Sequence, residues 1–159
     1  MRALRALFAF LVLSGVFGFL LPPLIAWADP LRSHGLAFGF PVLAVGAFIL
    51  LWCVRDFFVF GKGTLAPWDP PKHLVVVGLY PYVRNSMYSG VLLVVFGWSL
   101  AAGSPAVGIY TVALVVAFHV RVVTGEEPWL ARQFGSEWLG YSSSVPRWLP
   151  RVSPWNNGS

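Results

Sequence analysis

The chain is predicted to be an all-α integral membrane bundle of about four transmembrane helices, carrying a cytoplasmic loop that can hold a polar ligand and a C-terminal amphipathic helix. Three observations predict this. Hydrophobic residues make up 57% of the sequence and charged residues 11%, with a mean hydropathy of +0.72, well outside the soluble average. Uncharged stretches recur at lengths that span a bilayer. Ten of the eleven lysines and arginines fall on one side of the resulting topology. With 159 residues, no internal repeat and no low-complexity tract, residues 1–159 form one domain.

A hydrocarbon core of about 30 Å needs about 20 apolar residues in helical conformation. Residues 6–28 carry no charge, which gives a first span at about 4–27. Arg2, Arg5 and Ala26-Trp27-Ala28 imitate a cleavable secretory signal, but the apolar run exceeds the usual length and contains Pro22-Pro23, so the helix is expected to be retained and kinked. After Asp29, Arg32 and His34 a second run leads to Arg55 and Asp56, a span at about 36–58. From Asn85 to Val120 the only ionisable side chain besides tyrosine is His119. That stretch is too long for one helix, and Gly103-Ser104-Pro105 breaks it into spans at about 86–102 and 106–123. Cys53, the single cysteine, lies in an apolar run and reads as packing.

Lysines and arginines mark the cytoplasmic side of a membrane protein. With both termini and the 61–85 loop on one side, only Arg32 lies opposite, so the protein is expected to be multi-pass with both termini cytoplasmic, of bacterial inner-membrane type. The net charge of +5 suits anionic headgroups. A nucleic-acid partner is not expected, because the cations are spread along the membrane boundary rather than gathered on one helix or arm. No obligate protein partner is indicated.

Polar residues concentrate in two cytoplasmic blocks, 61–90 and 126–150. The segment from Gly61 to Pro71 is too rich in proline and glycine for a helix, Leu74-Val75-Val76-Val77 reads as extended, and Gly78 permits a turn before Tyr80. Asn85 or Ser86 is a candidate N-cap for the third span, where backbone N–H groups can meet an anion or a ribose oxygen. Tyr80, Tyr82, Tyr88 and Arg84 can equally form an interfacial belt, although a belt does not require Arg-Asn-x-Met-Tyr in one turn. His119 and Arg121, two residues apart, point to nearly opposite sides of an α-helix. Arg121 shares a stripe with Tyr110, and His119 aligns with Glu126 if the helix runs on through Gly125. Arg121 either snorkels or binds a ligand. Glu126 and Glu127 either begin an amphipathic helix next to Pro128 or bind an ammonium group or ribose hydroxyls.

Gly63-Thr64, Pro70-Pro71, Leu74-Val75-x-x-Gly78-x-Tyr80-x-x-x-Arg84-Asn85-x-Met87-Tyr88-x-Gly90 resembles the core of the isoprenylcysteine carboxyl methyltransferases and related phospholipid N-methyltransferases. So does Glu126-Glu127-x-x-Leu130-x-x-x-Phe134-Gly135-x-x-Trp138-x-x-Tyr141-x-x-x-Val145-Pro146-Arg147-Trp148-x-Pro150. Two motifs in order at compatible spacing are far more specific than either alone. The resemblance covers about residues 61–150. It implies a membrane enzyme that takes S-adenosyl-L-methionine from the cytoplasm and methylates a lipophilic small molecule or lipid. It places cofactor contacts at Lys72, Leu74, Val75, Tyr80, Arg84, Asn85, Met87, Tyr88 and Glu126, and it leaves Arg121, Glu127 and Arg147 as candidate catalytic residues, with no metal. Eukaryotic members often have histidine in place of Lys72 and Asn85, proline in place of Ser86, and tyrosine in place of Trp138. A carboxylate acceptor needs no general base, whereas an amine or thiol must lose a proton, which would draw in His119, Glu127 or a tyrosine. Two alternatives stand beside this reading: an NADPH-dependent sterol-type reductase, whose tail spacing Gly135-x-x-Trp138-x-x-Tyr141 resembles, and a non-enzymatic membrane scaffold.

Overall fold

The computed structural model describes residues 11–60 and 74–156, and these form helices joined by irregular segments, with no strand among them. Helix α1 opens with wide turns over Leu11–Leu20 and continues as Leu21–Ala28. Then follow α2 (Gly39–Phe60), α3 (Ser86–Ala102) and α4 (Pro105–Arg121). A wide turn over Val122–Glu126 leads without a break into α5 (Glu127–Ser144). The first residues of the first expected span, the loop from Gly61 to Pro71, and Lys72 lie outside the described residues.

Two stretches are long and apolar enough to cross a membrane, one within α2 and one beginning at α4, while Gly15–Ala28 and Ser86–Ala102 are apolar but shorter. A 17-residue helix rises about 26 Å, so α3 alone falls slightly short of a hydrocarbon core. Large apolar side chains such as Phe48, Leu51, Ile109 and Val112 point outward, as expected where lipid rather than water surrounds a helix.

Helices α2 and α3 touch backbone to backbone. A Cβ on Gly46 would sit 2.6 Å from the Val94 nitrogen, and one on Gly97 would sit 2.6 Å from the Leu43 nitrogen. Small residues permit this approach, which replaces the hydrophobic drive that a bilayer does not supply. Leu50, Val91, Val95, Val107 and Leu114 fill the core between α2, α3 and α4, with Ala26 of α1 joining them.

The turn between α3 and α4 follows its sequence closely. Gly103 adopts φ +61° and its N–H bonds Leu100 and Ser99 carbonyls, Ser104 caps α4 by accepting from the Val107 N–H, and Pro105 takes the first helical position. The 29–38 segment packs on this turn, with the Ser33 N–H on the Gly103 carbonyl at 2.9 Å and the Leu36 N–H on the Leu100 carbonyl at 2.8 Å. Residues 77–85, 121–127 and 145–155 gather at the opposite end of the bundle.

The last element departs from expectation. Within α5, Gly135 has φ +53° and ψ −122°, so the helix is kinked there rather than continuous. Only glycine takes up that backbone readily.

Candidate functional site

The described part of the first polar block, residues 74–90, meets the second at one end of the bundle, and main-chain bonds join them. The Arg84 N–H donates to the Pro146 carbonyl, the Arg151 N–H to Tyr82 and the Trp155 N–H to Pro81, each at 3.0 Å. The Tyr141 hydroxyl donates to the Tyr80 carbonyl at 2.8 Å, and Asn85 Nδ2 donates to the Arg147 carbonyl at 3.1 Å. Burial pushes the Tyr141 phenol above its ordinary range, with Arg84 opposing, so it remains a donor at neutral pH. Asn85 stands at the N-cap of α3, as expected, but its side chain makes no cap bond. Its amide donates to the tail carbonyl, and the Ser86 hydroxyl turns back to donate to the Val83 carbonyl at 2.9 Å.

Glu127 stands between two guanidiniums. Arg147 binds it in a fork, Nε on Oε1 at 2.7 Å and Nη2 on Oε2 at 2.8 Å, while Arg84 Nη1 reaches Oε1 at 3.0 Å. Bidentate pairs of this kind are strong and geometrically specific. The Arg147 bonds and both positive charges hold the Glu127 carboxyl below its usual range against the opposing effect of burial. The Arg84 guanidinium also lies 5.6 Å over the Trp138 ring, a cation–π contact with a buried aromatic. Its Nε is buried without a hydrogen-bond partner among the described residues.

Glu126 belongs to a separate group. Its Oε1 accepts from the Tyr88 hydroxyl and from Arg121 Nε at 3.0 Å, and the same Nε lies 3.1 Å from the Tyr88 oxygen. Both bonds use one oxygen. Arg121 reaches Glu126 because residues 122–126 wind in wide turns, in which positions five apart, rather than four, lie above one another. The expected alignment of His119 with Glu126 therefore fails, since it assumed 3.6 residues per turn throughout. His119 instead accepts at Nδ1 from the Trp148 indole N–H at 3.1 Å. Tyr110, expected on the Arg121 stripe, donates to the Phe17 carbonyl at 3.1 Å.

Several remaining sequence candidates pack in hydrophobic clusters. Leu74 lies against the Trp138, Tyr141 and Val145 cluster. Val75 and Tyr80 are buried with Cys53, and Met87 packs on that cluster. Lys72 is outside the described residues. Sequence reading missed the Trp148–His119 bond and the burial of Asp56, which is only 2% exposed. The signal for Asp56 was an acidic residue inside the last turns of an apolar helix.

Comparisons with known proteins bear on this arrangement. Residues 35–137 match the sequence model of a family described as phospholipid methyltransferase. The chain is 30% identical over 80 residues to protein-S-isoprenylcysteine O-methyltransferase B of Arabidopsis thaliana, a stretch covering 50% of this chain and 41% of that protein. It is 29% identical over 63 residues to an uncharacterized protein of Haemophilus influenzae, covering 40% of this chain and all of that protein. No solved structure matches.

Proposed function

Because the chain belongs to the phospholipid methyltransferase family, we propose that it transfers the methyl group of S-adenosyl-L-methionine to a lipophilic acceptor at the cytoplasmic membrane face. In this reading the protein is a single domain crossing the membrane four times, near 4–27, 36–58, 86–102 and 106–123, with both termini cytoplasmic. The gathering of the positive residues at the motif end supports that orientation.

The observation that carries the proposal is the unequal use of the two glutamates. Both Glu127 oxygens are held by arginines, whereas among the described residues Glu126 Oε2 accepts no hydrogen bond and the side chain is 35% exposed. That donor set fits the cofactor: Glu126 would take its ammonium or ribose hydroxyls, and the half-buried Tyr88 ring beside it would offer a face suited to a sulfonium. S-adenosylmethionine supplies a methyl group already activated by its positive sulfur. The protein's part is alignment and the exclusion of water. Arg84, Glu127 and Arg147 tie the tail to the start of α3, an arrangement in which Leu74, Val75, Asn85 and Met87 would be held in place around the cofactor.

The same bonds bear on the acceptor. Glu127 is held ionised between two cations, and the Nδ1 of His119 already accepts from Trp148, leaving the ring hydrogen on Nε2. Neither group is placed to collect a proton. Arg121 is 54% exposed and among the described residues uses only its Nε, so its terminal nitrogens would be available to orient an anion. An acceptor that arrives as a carboxylate suits this site better than an amine or thiol.

Calorimetric titration of the purified protein with S-adenosylmethionine, S-adenosylhomocysteine and NADPH tests the reading. Binding of the first two but not the third is expected. Binding of NADPH alone would identify a reductase, and binding of none would leave a scaffold.

A further inference from the structure

Asp56 lies in the last turns of α2, outside both motif blocks. Among the described residues its Oδ1 accepts a single bond, from Arg55 Nη1 at 3.2 Å, while Oδ2 is buried without a hydrogen-bond partner. The carboxylate abuts the Gly78 turn. Gly78 adopts φ +63°, and a Cβ there would fall 1.9 Å from Asp56 Oδ2 and 3.0 Å from Trp52 Nε1. That turn leads to Tyr80, whose phenol is pushed up by burial first and then by Cys53, Tyr141 and Asp56. Val75, Tyr80 and Met87, three residues assigned to the cofactor, share the cluster that Asp56 adjoins.

A buried oxygen that has lost water and gained no donor costs free energy. The charge balance of the motif end supplies a reason to keep it. Among the described residues Arg84, Arg121 and Arg147 face Glu126 and Glu127, which leaves these ion pairs one positive charge in excess. A positive sulfur brought there gains from a further negative charge nearby. The geometry points to Asp56 as a specificity-determining residue, whose incompletely neutralised carboxylate attracts the positive sulfonium of the methyl donor and does nothing for the neutral thioether product. The inference rests on the S-adenosylmethionine reading of the site.

Asp56 acts through its field across the Tyr80 cluster rather than by a bond to the cofactor. When the methyl group passes to the acceptor, the S–CH3 bond breaks, its electron pair stays on sulfur and the positive charge there is lost. The attraction ends with it, which favours exchange of product for fresh donor. Arg55, 67% exposed, tempers the field only weakly because water screens it.

Titration of the full-length protein in detergent with S-adenosylmethionine and S-adenosylhomocysteine tests this. Asp56→Asn should weaken donor binding about tenfold and leave product binding within about twofold, as for a unit charge acting through protein. Arg55→Gln, an exposed change, should shift the donor-to-product ratio the other way by about twofold. Equal weakening of both ligands by Asp56→Asn, or no weakening of either, overturns the inference. Should Asp56→Asn fail to fold, an unchanged ratio in Arg55→Gln overturns it and a shift toward the donor upholds it. A wild-type protein that binds neither ligand would overturn the functional reading and this inference together, whereas normal wild-type binding with unchanged ratios overturns this inference alone.

Discussion

At one end of the bundle Asp29 commits both carboxylate oxygens to finishing helices: Oδ1 accepts from the Leu31 N–H at 2.9 Å, and Oδ2 accepts from the Ser104 hydroxyl and from the Ala106 N–H at 3.0 Å. Arg32 beside it donates to the Ala102 carbonyl at 3.2 Å. At the other end Glu126 and Glu127 bond to arginine and tyrosine side chains, Tyr88 and Arg84 among them, and among the described residues Glu126 keeps an oxygen in reserve. The carboxylates are chemically alike. What separates them is whether their partners are the groups that end and start helices or the charged and phenolic side chains of the motif end, and whether any capacity is left for a ligand. Polar residues at a membrane boundary are thus not all functional signals.

The largest effect is expected at Glu127. Replacing it by Ala leaves Arg84 and Arg147 facing each other partly buried, which should cost about 2–3 kcal/mol in thermal unfolding and abolish methyl transfer. Glu126→Gln should sharpen the contrast, since its loss should weaken S-adenosylhomocysteine binding by about tenfold or more, as for a hydrogen bond to a charged group, while shifting the melting temperature little. Acid should then act on both ends with the same sign. Glu127 and Asp29 are held below the ordinary carboxylate range, the first chiefly by the Arg147 bonds and the second chiefly by the Ser104 hydroxyl. Their stabilisation is present above the unfolded value and is lost as pH falls through the lower folded one. The melting temperature should be flat from neutral pH to about pH 5 and decline below about pH 4, with a shallower decline in Glu127→Gln. The smallest effect belongs to Asp29→Asn, a modest fall in melting temperature with S-adenosylhomocysteine affinity unchanged. A loss of affinity there would break the distinction between the two ends.

Much of the helical framework was legible because each boundary carries a local cause. Gaps between charges located α2, and Gly103-Ser104-Pro105 supplied in order the three residue types that end one helix and start another. The meeting of the two motif blocks followed from placing both on one side. The details that decide chemistry were not legible. Aligning His119 with Glu126 presumed uniform winding, and the wide turn over Val122–Glu126 gave Glu126 to Arg121 instead. Asn85 sits at the N-cap as its type suggests, but the bond of its amide to the Arg147 carbonyl, 62 residues away, was not legible. Asp56 reads as an ordinary end-of-helix charge until the Gly78 turn covers it. Each of these outcomes depends on a partner distant in sequence or on a local change of helical pitch, and neither leaves a periodic trace.

The most direct test is transfer itself. Purified wild-type protein and Glu126→Gln should be incubated with methyl-labelled S-adenosylmethionine and a membrane lipid extract, and the organic phase should be analysed by mass spectrometry. Wild-type protein should move label into a lipophilic carboxylate as its methyl ester, and Glu126→Gln should move little. No labelled lipophilic product from wild-type protein, or equal transfer by the variant, would contradict the account.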